Sequence, residues 1–104
     1  MDTEMINDKV SQGIMLISAE KYDAAKLLLE DIIAEAPRTM EAYIHLGNAC
    51  ANLGKYDEAI ESFKKALLVD PNYVEAYFSI GSIYVLMNEK VKAIEFYNKA
   101  EENG

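Results

Sequence analysis

The chain has 104 residues, with ten Lys+Arg against eighteen Asp+Glu, one His, one Cys and a formal charge of −8 at neutral pH. That length makes one small domain or a short repeat array, and the acidic balance repels phosphate backbones and anionic lipid heads, so neither nucleic acid nor a membrane surface is an expected partner. One cysteine cannot close an intramolecular disulfide, and a single Cys with a single His does not make a zinc site, so no metal or cofactor is expected. Met1-Asp2-Thr3-Glu4 lacks the basic and apolar segments of a signal peptide, and no stretch approaches the roughly 18 apolar residues of a membrane span. The expectation is a soluble, cytoplasmic domain. Good helix formers dominate and no strand-length alternation appears, which predicts an all-α fold.

Along the chain, residues of several kinds recur at a step of 34. Gly13, Gly47 and Gly81 keep it, as do Ala25, Ala59 and Ala93. Pro37 with Pro71, Tyr22 with Tyr56, Asp23 with Asp57, Tyr43 with Tyr77 and Ala66 with Ala100 keep it too. Independent residue classes at one step mark a repeated structural unit. The single domain, 1–104, therefore divides into units at about 6–39, 40–73 and 74–104.

Each unit reads as two helices, six in all, of about 11–15 residues joined by turns of about three or four. In the first unit, Gly13 and Leu16 fall on the leading helix and Ala25 on the second, which ends before Pro37. The middle unit is clearest. Ala42, Tyr43, Leu46, Ala49, Cys50 and Leu53 form one apolar stripe, Gly54 supplies a left-handed stop, and Ala59, Ile60, Phe63, Ala66 and Leu67 form a second stripe. Asn72 with Glu75 has the spacing of a capping box opening the fifth helix. In the third unit Asn88 takes the place of Gly54, and Asn tolerates that backbone better than most residues. Gly47 and Ala59 predict close approach of the paired helix axes, with Tyr43, Phe63, Tyr77, Tyr84 and Tyr97 mainly in the core.

Tyr43, Leu46, Gly47, Ala59, Phe63, Ala66 and Pro71 at their offsets resemble the tetratricopeptide repeat (TPR) signature. Unit 3 matches at Tyr77, Gly81, Tyr84, Ala93, Tyr97 and Ala100, and unit 1 at Gly13, Leu16, Tyr22, Ala25 and Pro37. The resemblance implies a right-handed superhelical solenoid of three helix-turn-helix units. Lys26 in the place of Ile60, and Glu101 in the place of Leu67, read as polar substitutions at capped termini. Nothing after Gly104 supplies the seventh, solubilising helix such arrays usually add. Glu101 and Glu102 suffice, another protomer covers the end, or the chain is excised from something longer.

The resemblance further implies a non-enzymatic protein-interaction scaffold whose leading helices line a concave groove. Its candidate residues are Val10, Ile14 and Ile17 in unit 1, Ile44, His45 and Asn48 in unit 2, and Phe78, Ser82 and Val85 in unit 3. Asn48 stands where the family often keeps an Asn that bonds a bound peptide's backbone. Val10, Ile14, His45, Glu75 and Ser79 stand where a cationic carboxylate clamp would be, so the acidic C-terminal tail of a chaperone is not the expected ligand. The expected partner is an apolar or amphipathic, helical segment with some basic character. His45 and Cys50 point to different faces, which argues against a nucleophile–base pair, and no catalytic residues are expected. The alternative reading is homo-oligomerisation through Leu27, Leu28 and Phe96, because three consecutive leucines at 27–29 cannot all face one core.

Overall fold

In the computed structural model, which describes residues 2–104, the chain forms six helices and no strand among the described residues. They are α1 (Thr3–Ser18), α2 (Tyr22–Glu35), α3 (Met40–Asn52), α4 (Tyr56–Val69), α5 (Val74–Leu86) and α6 (Lys90–Asn103). Helix α1 begins ahead of the expected unit boundary, because Asp2 caps it by accepting the Met5 amide at 2.8 Å. The connections are three or four residues long, so consecutive helices run antiparallel. Pairs α1–α2, α3–α4 and α5–α6 form the repeats, and α2–α3 and α4–α5 packing stacks them into a solenoid of 40 × 25 × 19 Å. No helix among the described residues is long and apolar enough to cross a membrane.

What sets the distance within each pair is a glycine facing a large side chain. A Cβ on Gly47 would lie 2.7 Å from Phe63 Cζ, and one on Gly81 would lie 2.7 Å from Tyr97 Cε1. At Gly13 the facing residue is Leu29, 3.1 Å away. Leu29, Phe63 and Tyr97 are themselves 34 apart, so one contact is built three times from one spacing. The remaining core fills around it with Ile32, Cys50 and Ile80, all fully buried.

The turns repeat as closely as the helices. Glu20, Gly54 and Asn88, again 34 apart, all adopt positive φ, at 59°, 75° and 61°. At the other kind of turn, the Tyr43 hydroxyl donates to the Pro37 carbonyl at 2.7 Å and the Tyr77 hydroxyl to the Pro71 carbonyl at 3.2 Å. These bonds tie α3 and α5 to the turns before them.

Two local expectations are overturned. The capping box does not form: α5 starts after Tyr73, whose hydroxyl donates to Glu75 Oε2 at 2.9 Å, while the Asn72 backbone N–H donates to Asp70 Oδ1. Lys26 does not cap a terminus either. It lies on the seam between repeats 1 and 2, its side chain 18% exposed, with Nζ 3.3 Å from Glu58 on α4 and 4.0 Å from Glu30 on its own helix. The bond to Glu58, helped by Glu30, raises its pKa and holds the ammonium charged.

Three substitutions test the packing and the turns. Gly47→Ala gains about 1 kcal/mol of helix propensity but drives a methyl into the buried Phe63 ring, and overpacking costs about 1–3 kcal/mol, so thermal unfolding should show net loss. Gly13→Ala, facing a Leu29 methyl with more room to yield, should lose less or gain. Glu20→Gly relieves the left-handed strain of a residue with a Cβ and should raise stability by about 1 kcal/mol in the same assay.

Candidate functional site

Helix α1 also packs directly on α3, whereas α3–α5, α2–α4 and α4–α6 have no comparable packing among the described residues. The α1–α3 contact marks the side of the leading helices as the inner wall, which α5 continues by the 34-residue repeat and by the depression it shares with α3, and the second helices lie on the outer side. Val10, Ile44 and Phe78 hold one repeat position on that inner wall, and their exposure rises along the chain. Val10 is buried, at 9%, within the cluster that includes Leu29, Ile44 is half-buried, and Phe78 is 46% exposed. The trend follows the stacking, because α1 is covered by α3 while no later leading helix covers α5. Val10 is thus core, and the expectation that it lines an open groove is corrected.

The other expected residues divide. Ile14, Ser82 and Val85 are exposed, while Ile17, His45 and Asn48 are half-buried, with Ile17 packed against the core. Asn48, Ala51, Phe78, Ser82 and Leu86 come together around a depression of about 310 Å³ between α3 and α5. Phe63 of α4 also lines it, and Tyr97 of α6 supports two of the lining residues from outside, its ring 6.1 Å from that of Phe78 and its hydroxyl 3.2 Å from Ser82 Oγ. Gly81 is what lets Tyr97 come so close to α5. Leu86 and Tyr97 were not among the expected site residues. Leu86 extends the helical stripe Phe78–Ser82 by one more turn, a signal present in the spacing, whereas the reach of Tyr97 depends on the close approach of α6. Asn48 lines the depression, and its backbone carbonyl accepts from Asn52 Nδ2 at 2.8 Å.

Among the expected oligomer contacts, Leu27 alone stands clear, 71% exposed. Leu28 is half-buried against the core and Leu29 is fully buried. Phe96 is a second correction. It is 9% exposed, its ring 5.6 Å from that of Tyr84, because it occupies the seam position held by Ser62 one repeat earlier.

Cys50 is buried on the side away from His45, and burial, with Glu58 and Glu30 nearby, raises its pKa, which keeps it a thiol at neutral pH. Burial likewise lowers the pKa of His45 below the ordinary 6.5, against the smaller upward pull of Glu41. His45 is therefore a neutral imidazole beside the inner wall.

Two family models match the chain: one described as TPR repeat over residues 47–88 and one described as tetratricopeptide repeat over residues 16–61. Comparison with curated proteins returns no match. Among solved structures, MamA MSR-1 is similar at 34% identity, with a TM-score of 0.88, over 94% of this chain and 56% of that one. A MamA point mutant is 32% identical with a TM-score of 0.87, over 95% of this chain and 72% of the other. MamA from Desulfovibrio magneticus RS-1 is 27% identical with a TM-score of 0.87, over 91% of this chain and 54% of that one. The chain spans little more than half the length of the first of these structures.

The lowered pKa of His45 has a checkable sign. Unfolding restores the ordinary value, so the unfolded chain binds this proton more readily, and the contribution to stability is whole above pH 6.5 and lost as pH falls through the window below it. Unfolding midpoints measured from pH 7 to about pH 5 should fall less steeply in His45→Gln than in the parent chain.

Proposed function

The chain belongs to the tetratricopeptide repeat family, and from that premise we propose that its inner wall, centred on the depression between α3 and α5, binds an amphipathic helical segment of a protein partner. A protein-interaction scaffold is the general role of such an array. The observation that carries the finer reading is Phe78, a large aromatic left 46% exposed beside Leu86 and Val85 and flanked by the polar groups of Asn48 and Ser82. An apolar patch with a few convergent polar groups suits a segment that buries one face and bonds along its edge. Glu41 and Glu75, equivalent residues in the first turns of α3 and α5, add negative charge at one end of the wall. They favour a partner whose polar face carries Lys or Arg, and they repel the carboxylate-rich tails that a cationic clamp would take.

The fold is of a kind typical of non-enzymatic scaffolds, and the neutral His45 and protonated Cys50, on opposite sides of α3, do not form an activated pair. A labelled synthetic amphipathic helix, with leucines on one face and lysines on the other, serves as the probe in a fluorescence-anisotropy titration. Phe78→Glu should weaken its binding about tenfold or more while leaving helical circular dichroism unchanged. Undiminished binding to that variant would place the site elsewhere.

A further inference from the structure

The outer side of the array carries two hollows at the same place in successive repeats. One, of about 430 Å³, lies between α2 and α4, and the other, of about 480 Å³, lies between α4 and α6. A step of 34 residues turns Glu30 and Glu58 of the first into Lys64 and Lys92 of the second. The charge inverts with the step. Four carboxylates and two lysines border the first hollow, whereas three lysines and one glutamate border the second.

The basic hollow has an aromatic floor. Lys99 Nζ and Lys64 Nζ lie 4.6 and 5.8 Å from the centre of the Phe96 ring, and Lys92 Nζ lies 5.6 Å from that of Tyr84. Lys92 reaches Glu89 at the N-cap of α6 at 3.6 Å and Lys99 reaches Glu95 on the same helix at 3.4 Å, exposed pairs of the kind worth little. Lys64 forms no ion pair within 4 Å among the described residues. In the acidic hollow Lys26 answers Glu58 and Glu30 from below, while Glu61 and Asp57 stay exposed and unanswered by it.

We propose that this outer face is a self-association surface, and that a second copy of this chain occupies it with the acidic hollow of each copy facing the basic hollow of the other. The geometry permits closure. A twofold axis parallel to α4 and just outside the outer face lays α2 of one copy over α6 of the other and keeps each residue at its own height along its helix. Hollows related by the 34-residue step then meet face to face, twice, in one closed interface. Leu27, exposed at the repeat position of Glu61 and Glu95, adds apolar contact on the same face. Opposite net charge at both contacts offsets the mutual repulsion of two chains of −8 only where the two hollows meet in this order. The inference is independent of the inner-wall reading, whose depression lies on the other side.

Charge-swap complementation tests it by sedimentation velocity. The parent chain should dimerise at about 50 mM salt and dissociate near 500 mM, where screening is strong. Lys64→Glu with Lys92→Glu gives a chain with two acidic hollows, and Glu30→Lys with Glu61→Lys gives one with two basic hollows. Each variant alone should be monomeric with parental helicity, and an equimolar mixture should regain the dimer. A parent chain that stays monomeric at low salt overturns the proposal, as does a dimer indifferent to both reversals. A mixture that fails to associate, while both variants remain folded, overturns it as well.

Discussion

The close approach of paired helices at Gly13, Gly47 and Gly81 is the constraint on which the rest of the array hangs. Where a side chain is missing on the leading helix, Leu29, Phe63 or Tyr97 of the second helix fills the gap. The glycine costs helix propensity, and burial of the facing residue offsets it. Because the contact recurs at every 34th residue, successive pairs present the same outline to one another and stack in phase. Inner wall and outer face both follow from that stacking.

The two faces differ in how they are made. On the inner wall one repeat position passes from buried Val10 through half-buried Ile44 to exposed Phe78, so side-chain type and place in the array together decide what is presented. On the outer face the backbone repeats while the charges do not, and identical hollows become opposite in sign. Repetition of geometry with variation of chemistry gives a small array two unlike surfaces.

Much of this was legible in the residues. The 34-residue step, the six helices, the left-handed turns at Gly54 and Asn88, and the aromatic core all follow from spacing and backbone chemistry. Glu20 was harder to see, since nothing about glutamate marks a positive φ; only its register with Gly54 does. The run Leu27-Leu28-Leu29 shows the limit of periodicity. Helical spacing says that the three residues point apart, but which one meets solvent depends on where α3 lies.

Local pattern thus determined the repeat, the helices and their turns, because backbone sterics, the need for close packing and the 3.6-residue period act within a few residues of each other. Packing between repeats decided the remainder. Val10 became core where α1 meets α3 and Lys26 a partner of Glu58, each beside an element from another repeat, while Phe96 packs between Tyr84 of its own repeat and Lys64 of the one before. Tyr97 comes so close to α5 only because Gly81 admits it. Burial is a property of neighbours, and neighbours distant in the chain are chosen by the stacking of the repeats.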